Sequence, residues 1–96
     1  MKIELLNSAE QDLLEGYEFY ECQSRGLGNY FLESIFSDIG SLHLYAGIHA
    51  LHFGYNRMLS KRFPYAIYYK YNNDTVQVYA ILDCRRNPIS IKDRLL

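Results

Sequence analysis

Apolar positions along the chain fall into two regimes. Between residues 8 and 45 they recur at helical spacing: Leu13, Tyr17 and Tyr20 form one line with Leu14 alongside, and Phe31, Ile35, Ile39 and Leu42 form a second. Such stripes predict two amphipathic helices, each with one face to bury. Gly26 and Gly28 separate them, so the pair reads as an αα-hairpin whose second helix starts near Asn29. Ser8-Ala9-Glu10-Gln11 has the form of a capping box, in which the serine oxygen takes an early amide and Gln11 reaches back. Glu10 and Asp12 suit the positive end of that first helix, and Arg25 its C-terminal end. Ahead of it, residues 2–6 are a short apolar stretch suited to a first strand.

From residue 55 the period moves toward two. Residues 55–63 alternate imperfectly as a strand carrying Arg57, Lys61 and Arg62, and Pro64, unable to donate to a ladder, interrupts it. Residues 65–71 predict a tyrosine-rich strand with Tyr65, Ile67, Tyr69 and Tyr71 on one face. Asn72-Asn73-Asp74 is a turn of residues that tolerate left-handed backbone. In residues 75–83, strict alternation puts Val76, Val78, Ala80 and Leu82 on one face and Tyr79 and Ile81 on the other, which predicts a central strand. Residues 46–54 are the least regular and read as the connection into the sheet. Pro88 opens a short tail, residues 89–96, of a helical turn or two. The predicted core is one layer between helix pair and sheet: Leu13, Tyr17, Phe31, Ile35, Ile39, Ile67, Val78, Ala80 and Leu82. The order β-α-α-β-β-β with a short tail makes a single α+β domain over residues 1–96.

Composition adds constraints. An apolar fraction of 49% with 22% charged residues belongs to an ordinary soluble globular chain. Ten tyrosines and no tryptophan fit a small protein whose sheet is partly exposed or covered by a partner, since tyrosine joins an apolar body to a polar tip. The apolar runs are too short to span a bilayer, and no basic-then-apolar leader precedes Lys2-Ile3-Glu4. Cys22 and Cys84 lack metal-type spacing and read as free thiols of a reducing cytoplasm, a disulfide between them being the other reading. Cys84, beside Arg85, reads as a partly buried structural residue rather than a reactive thiol. His43, His49 and His52 read as loop or surface histidines rather than a zinc cluster, because no regular element converges them. No Gly-rich phosphate loop and no Ser-His-Asp order is present, and nothing calls for a cofactor.

Charge is divided unevenly. Residues 1–45 hold two bases against eight acids, a balance of −6, and residues 46–96 hold eight bases against three acids, a balance of +5. That asymmetry points to an interaction surface on the second half, while a pI near 6.3 argues against a dedicated nucleic-acid binder. The second half also ends its central strand in Asp83-Cys84-Arg85-Arg86-Asn87-Pro88. Adjacent strand residues point to opposite faces, so an arrangement that holds Arg85 and Arg86 near one rim makes a surface for an anionic or acidic partner. Ordinary solvated charge is the competing account.

The segment Phe63-Pro64-Tyr65-Ala66-Ile67-Tyr68-Tyr69, the strand at 76–82, and Arg85-Arg86-Asn87-Pro88 with Arg94 beyond together resemble the RelE/ParE superfamily of toxins from type II toxin–antitoxin (plasmid stabilisation) systems. The resemblance covers nearly the whole chain, including Ala9 and Leu13 of the first helix and Arg57 ahead of Phe-Pro-Tyr. It implies two helices on a twisted antiparallel sheet, and a small cognate antitoxin that wraps the toxin in a hetero-oligomer and neutralises it. RelE-like members resemble ribosome-dependent mRNA endoribonucleases, whose chemistry needs cations at a developing phosphorane and groups that move a proton from a ribose hydroxyl. Arg57, Lys61, Arg62, Arg85 and Arg86 are the candidate cations. The tail after Pro88 holds no tyrosine or histidine, and Asp83-Cys84 stands where such relatives often carry histidine. ParE-like members resemble inhibitors of DNA gyrase that act through protein contacts, and the missing tail base favours that branch. The same five residues are then the expected target-binding group. A degenerate member that binds an antitoxin but poisons nothing is a third reading.

Overall fold

The computed structural model describes residues Met1–Leu96. The chain runs β1 (Lys2–Leu5), α1 (Asn7–Gln23), α2 (Leu27–Gly40), a one-turn α3 (Leu42–Tyr45), β2 (Leu51–His52), β3 (Tyr55–Leu59), β4 (Tyr65–Asn72), β5 (Thr75–Asp83) and α4 (Pro88–Leu95). The five strands form one sheet in the order β1-β5-β4-β3-β2. The sheet is mixed: β1 lies parallel to β5, and the other pairings are antiparallel.

Both helices form where their stripes predict, but their ends are built differently. No side chain caps α1, which starts from Leu6. Ser8 does not form the capping box; its hydroxyl donates to the Tyr79 carbonyl at 2.7 Å. The reason lies in the sheet. β1 covers β5 only as far as Val78, and the polar groups of the uncovered edge need partners. Ser8 takes one, and the Asp12 carboxylate takes the Ile81 N–H at 2.9 Å. At the other end, Gly26 at φ 88° turns the chain so sharply that α2 begins at Leu27, two residues before Asn29. Glu21, in the last turns of α1, accepts the N–H groups of Gly26 (3.1 Å) and Gly28 (2.9 Å), placing a carboxylate on the positive end of α2.

The core is two layers rather than one. Between helix pair and sheet lie Leu13, Tyr20, Phe31, Ile35, Ile39 and Leu42 from the helices, with Tyr65, Ile67, Tyr69, Val76, Val78 and Ile81 from the strands. Tyr17 is only half-buried and lines a groove at its edge. Ala80 and Leu82 are not in this layer; with Ala66, Tyr68 and Leu95 they form a smaller cluster on the opposite face. A β-bulge is the cause. Tyr68 pairs with Ala80 but Tyr69 pairs with Val78, so Tyr79 has no partner and the alternation flips past it. The tail is the eight-residue α4, started by Pro88 and by Asn87, whose side chain accepts the Ile89 N–H at 2.9 Å. Leu95 and Ile91 seal the second cluster.

Two further departures lie beside the predicted strands. β3 ends at Leu59 instead of continuing to residue 63, because Ser60 and the Lys61 amide turn toward the buried Asp38, at 2.6 and 3.4 Å. The irregular stretch before β3 contains a tight hairpin, with His52 opposite Tyr55 across the two-residue turn Phe53-Gly54. No helix is long and apolar enough to cross a membrane.

Candidate functional site

The sheet face turned away from the helix pair carries cations and aromatic rings together. Tyr55 and Arg57 on β3, Tyr68 and Lys70 on β4 and Tyr79 on β5 share it. The Lys70 ammonium lies 4.8 Å from the Tyr55 ring centre and 5.4 Å from that of Tyr79, and the two rings meet edge to face at 5.0 Å. Arg57 is the direct cross-strand partner of Tyr68. Its Nη1 stands 3.4 Å from Nε2 of His52, and its buried Nε has no hydrogen-bond partner. Burial pushes the Tyr68 hydroxyl up, against the pull of the Arg57 charge.

Where this face meets α4 there is a pocket of about 200 Å³ lined by His52, Phe53, Arg57, Tyr68, Cys84 and Arg86, with Pro88 and Ile91 at its α4 side. Two arginines and no carboxylate line it, and Arg86 also borders two neighbouring openings lined by Asp12, Glu15, Asp83 and Asp93. Neither arginine belongs to an ion pair; the three in the molecule are Lys2–Glu4, Arg85–Asp83 and Arg94–Asp12. Cys84 lines the pocket as an exposed free thiol, not the partly buried residue expected, and Cys22 is also free and exposed.

The five predicted site residues lie along β3, in the loop after it and at the end of β5. Arg57 and Arg86 share the pocket. Arg85 turns to the helix side, where its Nε and Nη2 donate to the two oxygens of Asp83 at 2.9 and 2.7 Å and its own amide donates at 2.8 Å. Those bonds hold the Asp83 carboxyl below the usual carboxylate range and raise the Arg85 guanidinium. Beside them, burial raises the hydroxyls of Tyr20 and Tyr65, the latter to about 12. Lys61 and Arg62 are exposed in the loop between β3 and β4. Sequence reasoning missed Phe53, Tyr68 and Lys70 as members of this face, and it left His52 as a loop histidine. The alternation of β4 did carry a signal, since Tyr68 and Lys70 fall opposite the Tyr65 face. The turn that presents His52 and Phe53 carried none, because only its glycine is typical of a hairpin.

A second surface feature lies between α1 and α2. Leu5, Leu13, Leu14, Tyr17, Leu32 and Phe36 line an open groove of about 510 Å³ with Glu10 at its edge. Leu14 and Phe36, each about half exposed, leave apolar area uncovered there.

No protein-family profile matches the chain, and no curated protein is similar to it. Among solved structures, a chain of the one described as "Chromosomal ParDE TA system from P. aeruginosa" superposes with a TM-score of 0.68 at 17% identity, over 84% of this chain and 92% of that one. At that identity the likeness shows the fold: helices packed on a five-stranded, mostly antiparallel sheet, as the resemblance to RelE/ParE toxins implied.

Proposed function

We propose that the protein is the toxin of a type II toxin–antitoxin pair, neutralised by a small antitoxin, and that it inhibits DNA gyrase through protein contacts in the manner of ParE-like toxins. The observation that carries this reading is the shared fold over 92% of a chain from a ParDE system, found on a sequence whose Phe-Pro-Tyr and Arg-Arg-x-Pro elements already resembled such toxins. The uncovered groove between α1 and α2 supports the antitoxin half, since an amphipathic helix laid in an apolar groove is a common mode of such binding. Arg57, Lys61, Arg62, Arg85 and Arg86 are proposed to face the target, with Arg57 and Arg86 foremost because neither is held in an ion pair. Placing His52 and Tyr68 beside Arg57 favours a second reading, ribosome-dependent cleavage of mRNA, because an imidazole and a phenol can exchange protons near a held phosphate. Expression in cells, followed by parallel assays of supercoiling and transcript integrity, separates the two. Inhibited supercoiling with intact transcripts supports the gyrase reading; codon-dependent cuts in ribosome-bound mRNA overturn it.

A further inference from the structure

Asp38 carries a charge that the fold buries and does not balance. It stands in the last turn of α2, 5% exposed, and takes part in none of the three ion pairs. The carbonyl end of a helix favours cations, yet no basic residue lies in that turn. Hydrogen bonds reach only one of its oxygens. The Ser60 hydroxyl and the Lys61 amide both donate to Oδ2, and Oδ1 has no partner. Those bonds fasten the end of β3 to α2 but bring no opposite charge, and buried charges are ordinarily paired. Beside the carboxylate opens a pocket of about 300 Å³, framed by α3, the loop after it and the end of β3. Asp38 is its only carboxylate, and Tyr45, Ile48, Met58 and Leu59 give it apolar walls. Ile48 and Leu59 are 71% and 58% exposed, so the apolar rim of this pocket is uncovered.

We propose that this pocket binds an alkylammonium ion, with the nitrogen on Oδ1 of Asp38 and the carbon stem along Ile48, Met58 and Leu59. The chemistry of the walls selects that class of cation. A metal ion needs several oxygen or nitrogen ligands, whereas the pocket offers one carboxylate and a histidine whose Nδ1 is already engaged by Tyr69. An ammonium group brings three donors of its own. The Ser41 hydroxyl gives its proton to the Asp38 carbonyl at 2.6 Å and keeps lone pairs to accept one of them, and the Tyr45 ring lies on the same wall for a cation–π contact. An unbranched alkyl stem then covers the exposed aliphatic rim, as the stem of a lysine covers apolar surface. His49 does not supply the missing charge, since burial lowers its pKa and keeps the ring neutral. Lys61 lines the same pocket but sits on an exposed loop and forms no ion pair, which makes it a competitor for the carboxylate rather than its fixed partner. The ligand is either a free alkyl amine or the lysine side chain of another chain, because both present the same group. The inference does not depend on the toxin reading, and the pocket shares no lining residue with the helix groove or the pocket of Arg57.

The test is titration of the purified protein followed by amide chemical shifts. The probes are n-butylamine, 1-butanol as its neutral counterpart, a capped hexapeptide with one lysine among serines and leucines, and the same peptide with norleucine for lysine. Saturable binding of the lysine-like group is expected at roughly millimolar concentration, the range open to so few atoms, with shifts centred on residues 38–49 and 58–61. A lysine peptide bound more tightly than n-butylamine identifies another chain as the source, and equal or weaker binding identifies the free amine. Asp38→Asn keeps an acceptor for Ser60 but removes the charge, and should weaken binding about tenfold or more, the loss of a charge-assisted bond. Leu59→Ser tests the stem at an exposed position and should weaken binding about threefold or more through lost apolar contact. Lys61→Met removes the competitor and should bind no less tightly than wild type. Arg25→Met, which changes the net charge equally on the turn between the helices, should leave affinity unchanged. No saturable shift at these residues, 1-butanol bound as tightly as the amine, affinity unmoved in Asp38→Asn, or weaker binding in Lys61→Met overturns the proposal. Should Asp38→Asn fail to fold, the alcohol and Leu59→Ser decide: an amine bound no better than the alcohol, or unmoved in Leu59→Ser, overturns it equally.

Discussion

The hydroxyl of Tyr69 lies under the loop between α3 and β2 and has two partners there. It accepts the Gly47 N–H at 3.0 Å and meets Nδ1 of His49. Its single proton is therefore best donated to a neutral His49, and burial lowers the His49 pKa in the same direction. Protonating Nδ1 would leave two donors facing one oxygen and the phenol proton without an acceptor. Asp38 and Lys61 line the same side of the loop. The folded protein thus binds fewer protons than the unfolded chain between the lowered value and the ordinary value of about 6.5. Stability rises with pH through that window and is lost on acidification, by at most about 1.4 kcal/mol per pH unit. Urea midpoints at about pH 7.5 and 5.5 measure this, and His49→Gln, which keeps an acceptor but cannot titrate, should remove most of the difference. An unchanged pH dependence in that variant would mean that the loop is held by something other than this bond. Gly16 offers a second residue-level test. A Cβ there would lie 2.6 Å from the Phe31 ring, which Tyr20, Phe63 and Tyr65 enclose at centroid distances of 5.1, 5.1 and 4.9 Å. Alanine gains about 1 kcal/mol of helix propensity over glycine, but overpacking so confined a ring costs about 1–3 kcal/mol. We expect Gly16→Ala to lower the melting temperature, and a rise would show that α1 and α2 can part without loss.

Elements were legible in the sequence where a period ran unbroken, and illegible where a contact between distant segments set the geometry. Phe31, Ile35, Ile39 and Leu42 all lie buried on the predicted face of α2 and the turn after it, because helical spacing alone fixes which side chains share a side. The bulge at Tyr79 reversed the faces of Ala80 and Leu82 with no local mark, since its cause is the pairing of β4 with β5. Ser8 and Gln11 matched a capping pattern, yet the exposed edge of β5 claimed the Ser8 hydroxyl. The double arginine was legible as a site signal, but not the hold of Asp83 on Arg85. The tail helix also depends on a distant contact. Arg94 donates through Nη1 and Nη2 to the two Asp12 oxygens at 2.9 and 2.8 Å, and to the Ser8 carbonyl at 3.2 Å. Burial pushes the Asp12 carboxyl up and Arg94 opposes it, so Arg94→Ala strands a carboxylate with little water around it. Because the pair is still partly exposed, the expected cost is about 1–3 kcal/mol, below that of a fully buried pair. Faster amide exchange throughout α4 should accompany it; a stability loss without faster exchange there would place the cost in α1 instead. Val78→Asp is harsher, for Val78 is fully buried at the centre of the sheet. An unpaired charge there costs several kcal/mol, enough to unfold a domain whose total stability is about 5–15 kcal/mol.

At the scale of the molecule, the charge asymmetry of the sequence becomes two unlike surfaces. The half carrying −6 builds β1 and the helix pair, with an acid at the edge of an apolar groove, and the half carrying +5 builds most of the sheet, whose far face is cationic and aromatic. On the proposed function such a division has a use, since an antitoxin held in the groove would not need to compete contact for contact with a target on the other face. The fold thus separates two properties that mutation can test independently. If the protein is the proposed toxin, Arg86→Ala should relieve most of the growth inhibition while a co-expressed antitoxin still co-purifies, because Arg86 lines the pocket and holds no structural ion pair. Arg85→Ala should relieve less, since Asp83 already neutralises that charge. Leu14→Asp, at a half-exposed position of the groove, should do the reverse, weakening antitoxin capture by placing a charge against an apolar partner and leaving the free protein toxic. Growth curves with and without the neighbouring reading frame, and pull-down of its product, measure both properties. Full toxicity in Arg86→Ala together with intact capture in Leu14→Asp would mean that neither surface does what its chemistry indicates.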